Sequence, residues 1–358
     1  MNNYRLEDEG KMNIFTYTDN FILESGYTFP AIEIAYNTYG TLNADKSNIV
    51  WICHALTANS DVTDWWNGVV GNNHVIDPEK YFIVCANILG SCYGSTGPLS
   101  VDQKTQQPYF NNFPLVTIRD MVQAHILLRK HLGIENIFLL MGGSMGGYQA
   151  MEWCIIEKNV IENVLLLATS ASESAWGIAT HTAQRLSIEA DATFNTASST
   201  AGAKGLKAAR AIGMLTYRNY GIMVQQQTDA DTEKIDHFKA SSYINYQGDK
   251  LVQRFNAYTY WQLTKSMDSH NIARGRGGSL AAVLKTITQR TLIIGISSDI
   301  LCPLVEQRFL ANHIAGATMI EIDSDYGHDG FMVENKLISQ HVAEWLGDEV
   351  VLGFGAAI

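Results

Sequence analysis

The sequence predicts an α/β fold, a mostly parallel central sheet flanked by helices, with a helical cap inserted before its last strands. Three observations carry this expectation. Strand-like and helix-like segments alternate up to about residue 169, the pattern that crossover-connected parallel strands require. Between residues 170 and 290 the alternation stops, and the chain becomes polar, helical in spacing and rich in alanine, tyrosine and glutamine. Apolar strand-like runs then return from residue 291. The expected division is a core domain of residues 1–169 and 291–358 and an inserted helical lid of residues 170–290.

In chain order, residues 14–18 and 31–39 alternate apolar and polar positions as antiparallel strands do. Residues 48–53 and 81–85 are continuous apolar runs suited to parallel strands buried on both faces. A long helix is expected over 117–132, a buried strand over 136–141 with a helix after it, and another strand over 160–168. The late strands fall at 291–296 and 318–322, followed by a closing helix over 330–346. No repeat or low-complexity tract is visible, and residues 197–202 read as a mobile loop.

A chain of 358 residues that is 46% hydrophobic and 17% charged can bury a large core. Its net charge of −11 and its lack of any lysine or arginine block argue against a general nucleic-acid binder, and an anionic ligand would need local positive charge. Five scattered cysteines (Cys53, Cys85, Cys92, Cys154, Cys302) show no C-x-x-C pair and no metal-ligand spacing, so reduced thiols and no metal site are expected. The first nine residues are polar and acidic, and no apolar run approaches membrane-spanning length. A cytoplasmic protein with no membrane partner is therefore expected.

The most informative stretch is Leu139-Leu140-Met141-Gly142-Gly143-Ser144-Met145-Gly146-Gly147, where an apolar strand runs into a serine and then into helical sequence. Glycines two before and two after Ser144 permit the tight strand-to-helix turn of a nucleophile elbow. A serine hydroxyl needs a base, and the base needs a carboxylate to hold it in one tautomer. In this layout the order along the chain is serine, acid, histidine. Asp299 follows the strand at 291–296, and His328 lies in a glycine-flanked loop after the last strand. Asp323 and Asp325 compete for the acid role but stand too close in sequence to His328, while His54 is expected to support its own loop. The oxyanion of a tetrahedral intermediate needs backbone donors. Met145 N–H supplies one by position and Leu56 N–H is assigned as the second.

At this point the chain resembles the homoserine O-acetyltransferases of the α/β-hydrolase superfamily. The likeness is carried by His54-Ala55-Leu56-Thr57 with Trp65-Trp66, by Cys92-Tyr93-Gly94-Ser95-Thr96-Gly97-Pro98, by the Ser144 segment, by Arg210 through Arg218, and by Tyr326-Gly327-His328-Asp329. The resemblance implies transfer of an acetyl group from acetyl-CoA to L-homoserine through an acyl-Ser144 intermediate, in a ping-pong sequence within methionine biosynthesis. It implies no permanently bound cofactor, acetyl-CoA being a co-substrate, and a homodimer, expected to form through the lid. It also implies that Arg210 pairs with the homoserine carboxylate, Tyr217 lines the same pocket and Asp329 receives the amino group. From local sequence alone Arg210 reads as a solvated helix arginine and Tyr217 as a core aromatic.

Thr57 reads either as a substrate contact or as a local loop hydrogen bond. Arg218 reads as a surface or interface pair, Trp65 and Trp66 as packing beneath the loop, and Cys92 as structural. Two stretches depart from the family pattern, Ala58-Asn59-Ser60 and Gly90-Ser91-Cys92, and both are expected to border the acyl site. The alternatives within the same fold are succinyl transfer, serine as acceptor, or an esterase with water as acceptor.

Overall fold

An eight-stranded sheet organises the computed structural model, which describes residues 10–347. Residues 1–9 and 348–358, assigned above to the core, lie outside the described residues. The strands are β1 (Asn13–Tyr17), β2 (Ile32–Tyr39), β3 (Ile49–Cys53), β4 (Phe82–Ala86), β5 (Ile137–Gly143), β6 (Ile161–Leu167), β7 (Arg290–Ile296) and β8 (Thr318–Ile322). Their spatial order is β1-β2-β4-β3-β5-β6-β7-β8. The first two strands pair antiparallel, β2 joins β4 antiparallel, and every pairing from β4 to β8 is parallel.

The continuous apolar runs have a simple cause: both faces of the parallel strands are covered. Along β3, Ile49, Trp51 and Cys53 enter one apolar layer and Val50 and Ile52 the other. The first layer holds the helices Ile118–His131 and Met145–Ile156, and the second holds the closing helix. Thr117 starts the first of these helices with reciprocal hydrogen bonds: its side chain accepts from Asp120 N–H, and Asp120 accepts from Thr117 N–H.

The sequence expectation placed one closing helix over 330–346, and the structure corrects it. A short helix (Gly330–Val333) ends at Glu334, and a second runs from Asn335 to Leu346. In an unbroken helix the Phe331 carbonyl would accept from Asn335 N–H. It accepts instead from Trp66 Nε1–H at 3.2 Å. The helix Leu304–His313, between β7 and β8, was not anticipated.

Between β6 and β7 the chain forms six helices within residues 175–284. They are not isolated from the sheet layer: Gln262 and Ser266 donate to the carbonyls of Pro114 and Val116. Residues 197–202 form bends and turns that are tied at their end, with Ala201 buried and Gly202 N–H donating to Thr193 Oγ1. Among the described residues no helix is long and apolar enough to cross a membrane, and all five cysteines are free.

Three buried histidines make the fold acid-sensitive. Burial pushes His54 and His270 down to about 4 and His125, which sits between the Trp51 and Trp153 rings, to about 3. These folded-state values lie below the ordinary 6.5, so the unfolded chain binds more protons as pH falls through that window. The stability the neutral rings contribute is complete above 6.5 and is lost as pH falls toward 4. His125→Phe, which keeps a ring and removes a titration, should therefore show a smaller fall in Tm between pH 7 and pH 5 than the parent. Equal falls by calorimetry would contradict this account.

Candidate active site

The turn between β5 and the helix Met145–Ile156 sets Ser144 at φ 54°, ψ −125°. Such backbone costs a non-glycine residue about 1–3 kcal/mol, and the surroundings hold it in place. Ser144 N–H donates to the Leu167 carbonyl at 3.0 Å, and the Ser144 carbonyl accepts from Gly147 N–H and Thr169 Oγ1, both at 2.9 Å. The flanking glycines are required by contact. A Cβ on Gly142 would stand 2.3 Å from the Gly146 backbone, and one on Gly146 would stand 2.1 Å from the Cys53 carbonyl oxygen.

The three residues chosen from sequence meet. Ser144 Oγ lies 2.9 Å from His328 Nε2, and His328 Nδ1 lies 2.7 Å from Asp299 Oδ2. All three are buried. The other Asp299 oxygen accepts from Leu301 N–H at 2.8 Å and Cys302 N–H at 2.9 Å, which fixes the carboxylate's orientation. Burial pushes the His328 pKa down, but the charge and hydrogen bond of Asp299, with help from Asp329 and Glu173, outweigh it and raise the pKa above 6.5. Asp323 and Asp325 are exposed, and Asp323 accepts from Ser297 Oγ.

His54 holds the loop after β3. Its Nε2 accepts from Ile88 N–H at 3.2 Å, so Nδ1 carries the proton and donates to the Ala55 carbonyl at 2.9 Å. Leu56 in that loop lines the same cavity as Ser144, and its N–H donates to no group among the described residues. Met145 is the first residue of its helix, so its N–H has no acceptor within that helix.

A cavity of 450 Å³ opens over Ser144 and His328. Arg210, Tyr217, Asp329 and Thr57 all line it. Arg210 Nε is shielded from solvent without a hydrogen-bond partner among the described residues, and its guanidinium stands 5.3 Å from the Tyr217 ring centre. The structure corrects the reading of Arg218 as a surface or interface pair: its Nε lies 2.9 Å from Asp329 Oδ2. Burial raises the Asp329 pKa above the usual carboxylate range despite the opposing pull of Arg218, Arg210 and His328.

Trp65 is a second correction, because it lines the cavity while its stacking partner Trp66 is fully buried. Of the two departing loops, Ala58 and Asn59 line the cavity, whereas residues 90–92 are not among its lining residues. Burial pushes the Cys92 thiol up to about 12, which leaves it protonated and inert. Sequence reasoning missed Lys250 and Arg254, both in the cavity wall. They fall at and just after the end of the helix Lys239–Val252, with no local motif to mark them.

Among the described residues, Asp299, Cys302 and His328 form a buried group with metal-like spacing. Its aspartate and histidine are already hydrogen-bonded to each other, and burial pushes the Cys302 thiol well above its ordinary range. Protein hydrogen bonds explain the grouping.

Residues 48–335 match the family model of the alpha/beta hydrolase fold. A homoserine O-acetyltransferase of Cyclobacterium marinum is 46% identical over 91% of this chain and 92% of its own length. The chain belongs to the homoserine O-acetyltransferase family. The solved homoserine O-acetyltransferase of Staphylococcus aureus superposes with a TM-score of 0.78 at 26% identity, covering 97% of this chain and 98% of that one. The fold is shared more widely: the crystal structure of esterase E22 matches with a TM-score of 0.84 at 21% identity, over 94% of this chain and 99% of its own.

Gly146→Ala is expected to destabilise the protein by about 3 kcal/mol or more, the upper end for a forced contact in a packed interior, because its Cβ meets a strand carbonyl rather than a movable side chain. Denaturant unfolding should register the loss, and a variant as stable as the parent would show that the elbow can shift.

Proposed function

We propose that this protein transfers an acetyl group from acetyl-CoA to the hydroxyl of L-homoserine, giving O-acetyl-L-homoserine and free CoA, by a ping-pong sequence through acyl-Ser144. The observation that carries transfer over hydrolysis is Arg210: a guanidinium with a buried, unpartnered Nε in the same cavity as Ser144. Water as acceptor has no use for it. A carboxylate on the acceptor does.

In the first half-reaction His328 takes the Ser144 proton as Oγ attacks the thioester carbonyl carbon, and the N–H groups of Leu56 and Met145 receive the developing oxyanion. The intermediate collapses with cleavage of the C–S bond, and His328 returns its proton to the departing sulfur. In the second half-reaction the homoserine hydroxyl gives its proton to His328 and attacks the acyl-serine carbonyl. Collapse releases the ester and restores Ser144 Oγ–H. Asp299 keeps the ring oriented and stabilises its charged form throughout. Arg210 holds the acceptor carboxylate, Tyr217 flanks it, and Asp329 accepts the acceptor ammonium. Thr57 contributes to the wall on the oxyanion side.

We read residues 170–290 as the lid over this cavity and as the face of a homodimer. Its exposed apolar side chains, among them Trp176, Leu186, Leu215 and Tyr220, support that surface. No permanently bound cofactor, membrane or nucleic-acid partner enters the reading, and a place in methionine biosynthesis follows from the product.

Rates with acetyl-CoA or succinyl-CoA, each with homoserine or serine, test the assignment directly. Sustained CoA release that needs acetyl-CoA and homoserine together is expected, acetyl-CoA alone giving at most one equivalent per serine as the acyl-enzyme forms; continuous thioester hydrolysis indifferent to homoserine would make the protein an esterase. Ser144→Ala should abolish turnover. Arg210→Gln should lower kcat/KM for homoserine about 10- to 100-fold, the worth of a charged hydrogen bond.

The raised His328 pKa predicts an acid limb in kcat/KM above pH 6.5, since the ring must be neutral to act as a base. Asp299→Asn removes the main group holding that pKa up. It should cut kcat by about 10²–10⁴-fold and move the acid limb of the residual activity to lower pH. An unmoved limb would assign the titration to another group.

A further inference from the structure

Arginine pairing divides the surface from the cavity. Most described arginines sit in ion pairs with carboxylates, as Arg119, Arg129 and Arg308 do with Glu24, Glu157 and Glu321. Those outside such pairs are Arg210, Arg254 and Arg290. Arg290 is engaged by the Trp345 carbonyl. The other two line the cavity over Ser144.

Two unpaired guanidiniums in one cavity of a chain with net charge −11 call for two anions. Arg210 lies inward, partly buried beside Tyr217. Arg254 is exposed, as is Lys250, which is also unpaired and also in the cavity wall. One arm of Arg254 is fixed: Nη1 donates to the Thr57 carbonyl at 2.5 Å and to Tyr93 Oη at 2.6 Å. The remaining guanidinium nitrogens have no acceptor among the described residues. The carboxylates in the cavity wall are Asp329, already paired with Arg218, and the exposed Asp64.

We propose that Lys250 and Arg254 form the subsite for the phosphate groups of the acyl donor, at the mouth of the cavity. This rests on the acyl-transfer reading above and extends it to the donor's far end. A cavity of 450 Å³ is of the size that encloses a small ligand. It takes the reacting thioester and the acceptor, while a nucleotide carrier has to leave its phosphates outside. There the two exposed cations meet them, Arg254 as a planar fork and Lys250 as a point charge. The Thr57 carbonyl that steadies Arg254 belongs to the residue after Leu56, so donor anchoring is joined to the loop assigned to the oxyanion.

The test compares two thioesters with the same reacting end, acetyl-CoA and S-acetyl-pantetheine, which lacks phosphates. In the Lys250→Gln/Arg254→Gln double variant the preference for acetyl-CoA, taken as the ratio of kcat/KM values, should fall at least tenfold. The loss should lie in the KM for acetyl-CoA, and the parent's dependence of that KM on salt should flatten. Because the ratio cancels damage common to both donors, an unchanged ratio overturns the proposal, whatever the absolute rates. Arg254→Lys, keeping the charge, should recover part of the preference; no recovery together with normal folding would make the role of Arg254 structural.

Titration calorimetry with CoA alone separates this proposal from the transfer reading. If the parent binds CoA at least tenfold tighter than the double variant but turns over neither thioester, the subsite stands and the transfer reading falls. Equal binding removes the subsite while leaving the transfer reading in place.

Discussion

Everything in the site depends on one close approach, the passage of the Gly146 backbone against the Cys53 carbonyl at the end of β3. Only a residue without a Cβ lets the elbow helix start so near the sheet. That nearness forces the chain through the sparsely populated backbone of Ser144 and turns its hydroxyl out of the sheet. The cost is local and is met by bonds from β6 and Thr169 to both ends of the serine peptide. The parallel sheet contributes the rest: β6 flanks the elbow strand, β7 and β8 follow it in order, and all point the same way, so the loops after β7 and β8 carry Asp299 and His328 to the same edge.

Charge is distributed in the site by pairing. Asp299 faces His328 through one oxygen and two backbone N–H groups through the other, a saturated carboxylate that cannot turn away. Asp329 shares its burial with Arg218, so a carboxylate whose pKa burial raises keeps a cation beside it. Arg210 has no such counterpart. The asymmetry gives the inner part of the cavity one settled ion pair and one guanidinium open to a ligand.

The sheet was legible because strands covered on both faces must be apolar throughout, and every strand of the central sheet lies within a residue or two of its expected bounds. The three residues of the Ser144 hydrogen-bond chain were legible for a different reason: each stands just past a strand that the apolar pattern locates. What stayed hidden depends on contacts distant in sequence. The break at Glu334 is imposed by an indole nitrogen arriving from Trp66, and no residue near 334 announces it. Arg218 looked like a surface residue because its partner is separated from it by more than a hundred positions. Lys250 and Arg254 are ordinary polar residues at a helix end until the fold turns them toward the cavity.

The distance along the chain between Ser144 and the imidazole it meets has a consequence for biosynthesis. His328 lies 184 positions after Ser144, beyond the edge strand that completes the sheet. A polypeptide still emerging from the ribosome thus holds Ser144 without its imidazole partner, and the hydrogen bond between them closes only when the outermost strand docks. A shortened product lacking that strand and the loop after it would keep the serine and the carboxylate but could never assemble the hydrogen-bond chain that joins them.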